Sequence, residues 1–211
     1  MKYPEFSVPG VPHDQTWQLF NTSNFEYYCD KVRGLREGTC PFCVIDPKIN
    51  EVLPIPNPSW LAWENRVAAK ANQSLQLIIA TKEHFEKLEE LGGREWSDLG
   101  LFILVLSGHY KLEGFSLLCR SGNALFNARS VPHIHFNLHV PDGTGKVAPT
   151  IGKSWADLEE KLKILKAFEK MRVEIEASGP SGCDVDEAFA AVLSREEREL
   201  VRNILRKKAA G

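Results

Sequence analysis

Residues 130–139 read Ser130-Val131-Pro132-His133-Ile134-His135-Phe136-Asn137-Leu138-His139. Successive side chains of a β-strand point to opposite faces, so His133, His135, Asn137 and His139 line one face. Ile134, Phe136, Leu138 and Val140 line the other, which reads as a core face. The polar set is not ordinary core material. Three imidazoles in four same-face positions suit metal ligation, or a histidine nucleophile held by polar neighbours. Half-buried histidines without a chemical role are the alternative. Asn137 is the position that interrupts the run.

A second constellation is Cys40-Pro41-Phe42-Cys43. Its spacing lets two thiolates grip one tetrahedral Zn²⁺ and leaves two positions to fill. No second Cys-x-x-Cys follows, so the remaining ligands must be histidines, with His84 and His133 the best candidates. Two free surface cysteines are the alternative. A redox motif fits less well, because no thioredoxin-like βαβ pattern surrounds the pair. The third constellation is the turn Arg120-Ser121-Gly122-Asn123 with Ser130 beyond it, where Arg120, Asn123 and Ser130 offer donors to an anion.

Around these segments the chain suits an N-terminal segment (1–39), a domain over 40–148 and a helical C-terminal extension over 149–211. The expected class is α+β, an antiparallel sheet with packed helices. The first forty residues suggest partly irregular structure with room for a short helix. The prolines at 54, 56 and 58 make Glu51–Ser59 an extended surface loop. Trp60–Asn65 and Leu75–Ala80 read as strands. Phe85, Leu88 and Leu91 are spaced three apart, which predicts a helix over Lys82–Leu91 ended by Gly92-Gly93. An apolar helix follows from about Glu95 to Leu112, then a short strand at Phe115–Arg120. Past Pro149, Ser154-Trp155-Ala156-Asp157 is a helix-start box followed by Leu158, Leu162, Leu165 and Phe168 at helical spacing. That helix either covers the sheet or forms a partner surface. Gly179-Pro180-Ser181-Gly182 breaks the pattern, and a last helix begins near Ser194-Arg195-Glu196-Glu197.

Composition narrows the setting. A formal net charge of -2 argues against a broad nucleic-acid-binding surface and leaves a local anion pocket open. Met1-Lys2-Tyr3-Pro4 lacks a signal-peptide core, and the longest apolar stretch, Leu99–Leu106, is too short to span a bilayer. Five cysteines, an odd number, fit a reducing compartment. The expectation is a cytoplasmic protein with no membrane association.

Together these segments resemble the histidine-triad (HIT) superfamily. The matching segments are Cys40-Pro41-Phe42-Cys43, Trp63-Glu64-Asn65, Ala80-Thr81-Lys82-Glu83-His84 and the run from Ser130 to Asn137, in the family's order across roughly residues 40–140. The tail beyond residue 150 has no counterpart in the small HIT proteins. The resemblance implies that His135 is a nucleophile, attacking an α-phosphorus to form a nucleotidyl-histidine intermediate. It implies a structural Zn²⁺ on Cys40, Cys43, His84 and His133, no organic cofactor, and a homodimer. It places Asn65 near the ribose, and Asn123 and Ser130 on the phosphate side.

The departures from the family pattern bear on function. Asn137 occupies the third triad position, where an amide can hydrogen-bond phosphoryl oxygens and cannot transfer a proton. Thr81 stands for the usual proline and Gln76 for a frequent histidine. Ala128-Arg129 replaces a small or glycine-rich pair, so Arg129 either charges the phosphate site or crowds it. His139 either substitutes for the missing imidazole or lies at a solvated strand end.

The expected activity is a nucleotide hydrolase or nucleotidyltransferase on dinucleoside polyphosphate-like or nucleoside phosphoramidate-like substrates. Its catalytic residues would be His135 and Asn137, and its substrate-binding residues Asn65, Arg120, Asn123, Arg129, Ser130 and His139. A catalytically decayed nucleotide-binding or interaction protein is the alternative. A metal-dependent enzyme using His133, His135 and His139 as ligands is a third.

Overall fold

The computed structural model describes residues 5–65, 72–122, 127–178 and 185–209. In chain order a 3-10 helix (His13–Asn21) is followed by α1 (Phe25–Glu37), β1 (Trp60–Glu64), β2 (Gln73–Thr81) and α2 (Gly93–Tyr110). Then come β3 (Ser116–Cys119), β4 (His135–Pro141), α3 (Trp155–Ser178), α4 (Val185–Val192) and α5 (Arg195–Ala209). Two compact units result, one of residues 39–152 and one joining 1–38 to 153–211.

The unit over 39–152 is the α+β part. Its four strands run β1-β2-β4-β3, and every neighbouring pair is antiparallel. Alternation sorts their side chains as expected. Leu75, Leu77 and Ile79 of β2 and Phe136 and Leu138 of β4 join Trp60 and Ala62 in one core, against which α2 sets Leu99, Phe102 and Leu106. The opposite face carries Gln76, His135, Asn137 and His139, all buried.

Lys82–Leu91 is not the helix its apolar spacing predicts; only Leu88–Glu90 makes a single 3-10 turn. Tertiary partners, with one carboxylate of the same segment, take the backbone groups a helix would use internally. The carbonyl of Phe85 accepts from Ile134 N, and that of Glu86 from the Arg129 guanidinium. Leu88 N donates to Ser121 Oγ, and Glu86 N to Glu90 Oε2. Gly92 accordingly does not end a helix. It caps the start of α2, where its N–H donates to Glu95 Oε2 at 2.8 Å.

In the other unit, the chain before residue 39 is more helical than its sequence suggests. Asn24 caps α1, its Oδ1 accepting from Tyr27 N at 2.7 Å, and Gly38 ends it with φ of 66°. Both predicted C-terminal boxes form: Asp157 N donates to Ser154 Oγ and Glu197 N to Ser194 Oγ, each at 3.2 Å. Apolar residues of α1 and α3 share a core, with Tyr28 and Phe25 packed on Phe168. Lys161 Nζ and Lys153 Nζ hold the carbonyls of Thr22 and Phe20. The N-terminal segment and the C-terminal helices therefore form one body. The 179–182 break lies outside the described residues.

Candidate functional site

His135 begins β4 and is buried to all but 8% of its surface. Its Nδ1–H donates to the carbonyl of His133 at 2.8 Å, which puts the lone pair of the neutral ring on Nε2. Burial, and then the charges of Arg120 and Arg129, push its pKa from 6.5 down to about 4. The ring is therefore a neutral nucleophile across the physiological range. Phe42, from the Cys-x-x-Cys loop, stands edge-on to it at 5.0 Å and also meets Trp63 at 5.1 Å.

His133 precedes the strand and turns away from its neighbour. Its Nε2–H donates to the carbonyl of Thr81 at 2.8 Å, with Thr81 Oγ1 at 3.0 Å, so Nδ1 carries the lone pair. That nitrogen lies 3.5 Å from Cys40 Sγ and 3.6 Å from Cys43 Sγ. His84 Nδ1 lies 3.2 Å from Cys43 Sγ, and its Nε2 faces Glu86 Oε1 at 3.5 Å. All four ligand atoms fall within 4.8 Å of one another. Tetrahedral Zn–S and Zn–N bonds imply S···N separations of about 3.5 Å, so this donor set fits a single ion. Each imidazole is also oriented by an acceptor on its far nitrogen, as metal-ligating histidines are. The four residues could hold a metal. The main-chain carbonyl of residue 81, which any residue there would supply, thus fixes the tautomer of His133, and the Thr81 hydroxyl adds a second partner at 3.0 Å.

Asn137 follows on the same face. Its Oδ1 accepts from Gln76 Nε2 at 3.3 Å. His139 is buried rather than solvated at a strand end. Its Nδ1–H donates to Gln73 Oε1 at 2.7 Å, and its Nε2 is enclosed without a partner. His133, His135 and His139 thus point their anchored nitrogens at three different acceptors. Among the described residues, the metal-compatible group contains neither His135 nor His139, which removes the basis for a His133–His135–His139 metal centre.

The remaining sequence candidates divide. Arg120 continues β3 on the site face and donates to the carbonyl of Thr150; its charge lowers the pKa of both His135 and His139. Arg129 is buried and donates to the carbonyls of Glu86 and Gly122, bracing two loops while its field still reaches His135. Ser130 is half-buried beside it. Asn65 stands just past β1, its N–H donating to the carbonyl of Gln76 at 2.9 Å. Asn123 lies outside the described residues. Sequence reasoning gives no role to Phe42 or Gln73 and, though it marks Gln76, misses its bond to Asn137. Alternation along β2 puts Gln76 on the polar face; nothing in the sequence pairs it with Asn137.

No family model matches the chain, and no curated protein matches it. Among solved structures it is similar to a histidine triad nucleotide-binding protein from Candida albicans, at 22% identity and a TM-score of 0.41, over 66% of this chain and 99% of that one. It is also similar to a histidine triad protein from Clostridium difficile, at 18% identity and TM-score 0.40, over 52% and 93% of the two chains. A third is the diadenosine triphosphate hydrolase of Plasmodium falciparum, at 16% and 0.36, over 59% and 78%. No helix among the described residues is long and apolar enough to cross a membrane.

Proposed function

We propose that the domain over residues 40–148 is a HIT-type nucleotide hydrolase or nucleotidyltransferase that works through a covalent nucleotidyl-His135 intermediate. The observation that carries this reading is the 2.8 Å bond from His135 Nδ1–H to the carbonyl of His133, which leaves Nε2 as the nucleophile on a face flanked by Arg120. Nε2 attacks the α-phosphorus and the bond to the leaving group breaks. Water, or a second acceptor, then attacks the same phosphorus and returns the electron pair to Nε2. The imidazolium formed in between is held by the His133 carbonyl, and Asn137 and Arg120 offer N–H groups to the phosphoryl oxygens. Dinucleoside polyphosphate-like and nucleoside phosphoramidate-like compounds are the substrate classes, with Asn65, Asn123, Ser130 and Arg129 around the ligand.

The metal of this reading is Zn²⁺ on Cys40, Cys43, His84 and His133. When bound it would tie the 40–43 loop to His84 and to His133, two residues ahead of β4, and the chemistry it would supply is structural cross-linking. The same residues place Phe42 against His135. Cysteines not paired in disulfides suit a reducing, cytoplasmic setting. A homodimer is supported by the outer face of α2, where Leu101, Leu104 and Val105 are all more than half exposed.

Release of nucleoside monophosphate from such substrates, lost in His135→Ala, tests the mechanism. Unchanged turnover in that variant would sink it. Nucleotide binding without turnover of any substrate would favour the decayed-site reading, whose support is that Asn137 cannot carry a proton.

A further inference from the structure

Asn137 and Gln76 are 7% and 5% exposed, and both are amides, which hold no transferable proton at neutral pH. Gln76 reaches across from β2, where it lies opposite His139 in register, and donates to Asn137 Oδ1 at 3.3 Å. This engages the Asn137 amide oxygen and so sets which way the amide faces. Its Nδ2 has no partner among the described residues and, unlike His139 Nε2, is not enclosed. With Oδ1 held by Gln76, the Asn137 amide turns its N–H towards a group bound beside His135, about 7 Å away along the strand.

An amide N–H stabilises negative charge on oxygen; it does not protonate a leaving atom. His139 cannot act in its place. Its free nitrogen, Nε2, is enclosed and does not face the space beside His135 where a ligand would bind.

We infer that the Gln76–Asn137 amide pair restricts the site to leaving groups that depart as stable oxyanions, with Gln76 as the positioning residue that sets the direction of the Asn137 amide. This rests on the His135 mechanism above. For a phosphoanhydride, the Nε2–P bond forms as the bridging P–O bond breaks. The electron pair leaves on the bridging oxygen of a phosphate or polyphosphate, which carries it without a proton, and Asn137 Nδ2–H bonds that oxygen. In the second step a water oxygen bonds to phosphorus, the P–N bond breaks with its pair returning to Nε2, and the water proton passes to solvent. For a phosphoramidate the pair would leave on nitrogen, which needs a proton that no group at position 137 can give. Substrates of the anhydride class are therefore turned over much faster than those of the amidate class.

Single-turnover release of AMP from diadenosine tetraphosphate and from an alkylamine phosphoramidate of AMP tests this in the full-length chain. The wild type should prefer the anhydride by at least ~10²-fold in kcat, the usual worth of general acid catalysis. Asn137→His should raise kcat on the amidate at least about tenfold and narrow that preference. Gln76→Leu should lower kcat on the anhydride with little change in KM, and Gln76→His, which restores a donor, should recover it. A merely structural role would move both substrates in parallel. Equal wild-type rates on the two substrates, or a preference unchanged in Asn137→His, would overturn the inference while leaving the covalent mechanism intact. Absence of AMP release from both substrates, with no nucleotidyl adduct on His135, would overturn the mechanism and the inference with it.

Discussion

The Nδ1–H of His135 is held by the backbone carbonyl of His133, two residues back, at 2.8 Å. A main-chain acceptor cannot be removed by a side-chain substitution, so the nucleophile's tautomer survives changes at position 133. His133→Ala should therefore disturb the metal cluster while leaving detectable turnover in whatever protein remains folded. His135→Ala should abolish turnover, by at least about 10³-fold in kcat. Nucleotide release measured on folded fractions of both variants checks this. Equal loss in the two would contradict it.

Burial holds the His135 imidazole neutral, its pKa pushed from 6.5 to about 4. Activity that depends on the neutral ring should thus stay level from pH 8 to near pH 5 and fall only as pH approaches 4. Stability follows the same group. In the unfolded chain the ring binds its proton below pH 6.5, while in the fold it resists until about 4. The unfolded state therefore holds more protons between these values, and stability falls as pH drops from 6.5 towards 4. The full shift corresponds to about 3 kcal/mol. Removing the covering ring with Phe42→Ala should raise the His135 pKa towards 6.5, readable by histidine NMR titration. An unshifted pKa would mean that other groups provide the burial.

Alternation made β4 legible because strand sterics act residue by residue; the sorting of Phe136 and Leu138 from His135 and Asn137 needs no tertiary information. The cluster was legible for a related reason: Cys40 and Cys43 are locally spaced, and the chemistry of a half-filled tetrahedral site asks for histidines. What stayed hidden depends on long-range partners. Phe85, Leu88 and Leu91 have a helical period, yet Ile134, Arg129 and Ser121 claim the backbone between them. Resemblance alone singles out Gln76, and the sequence leaves His139 between site and solvent, because their burial arises only when β2 and β4 pair into one polar face.

The metal cluster makes its own prediction. The protein should carry one zinc per chain, and Cys40→Ser should lose it and lower the thermal midpoint. Glu86→Ala should weaken zinc about tenfold, because Glu86 Oε1 faces the Nε2 of His84 at 3.5 Å and outer partners of that kind tune affinity by 10–100-fold. Elemental analysis and competition with a chromogenic chelator read both effects. A redox metal retained in Cys40→Ser would contradict the assignment.

Leu104 is 69% exposed on the outer face of α2, beside Leu101 and Val105. An apolar stripe of this kind on a charged chain is expected to be covered by a second copy. Leu104→Glu should therefore convert a dimer to a monomer in sedimentation velocity without changing the far-UV circular dichroism. A wild-type chain that sediments as a monomer at high concentration would exclude this face as a dimer contact.

In the helical unit, Arg172 is 4% exposed and grips Glu169 with two hydrogen bonds, at 2.6 and 2.8 Å, while Tyr28 donates to the same carboxylate at 2.6 Å. Glu176 lies against the same guanidinium from the next turn and also pairs with the more exposed Arg36. Taking Glu169 away leaves a buried cation short of its main partner and a buried phenol without its acceptor, and breaking such a pair from one side costs about 3–5 kcal/mol. Glu169→Leu should therefore lower the urea midpoint strongly. The double variant Glu169→Leu/Arg172→Leu should recover part of that loss, because it removes the stranded charge along with its partner. If the double variant is less stable than the single one by the full cost of a second independent change, Arg172 is held by groups other than Glu169.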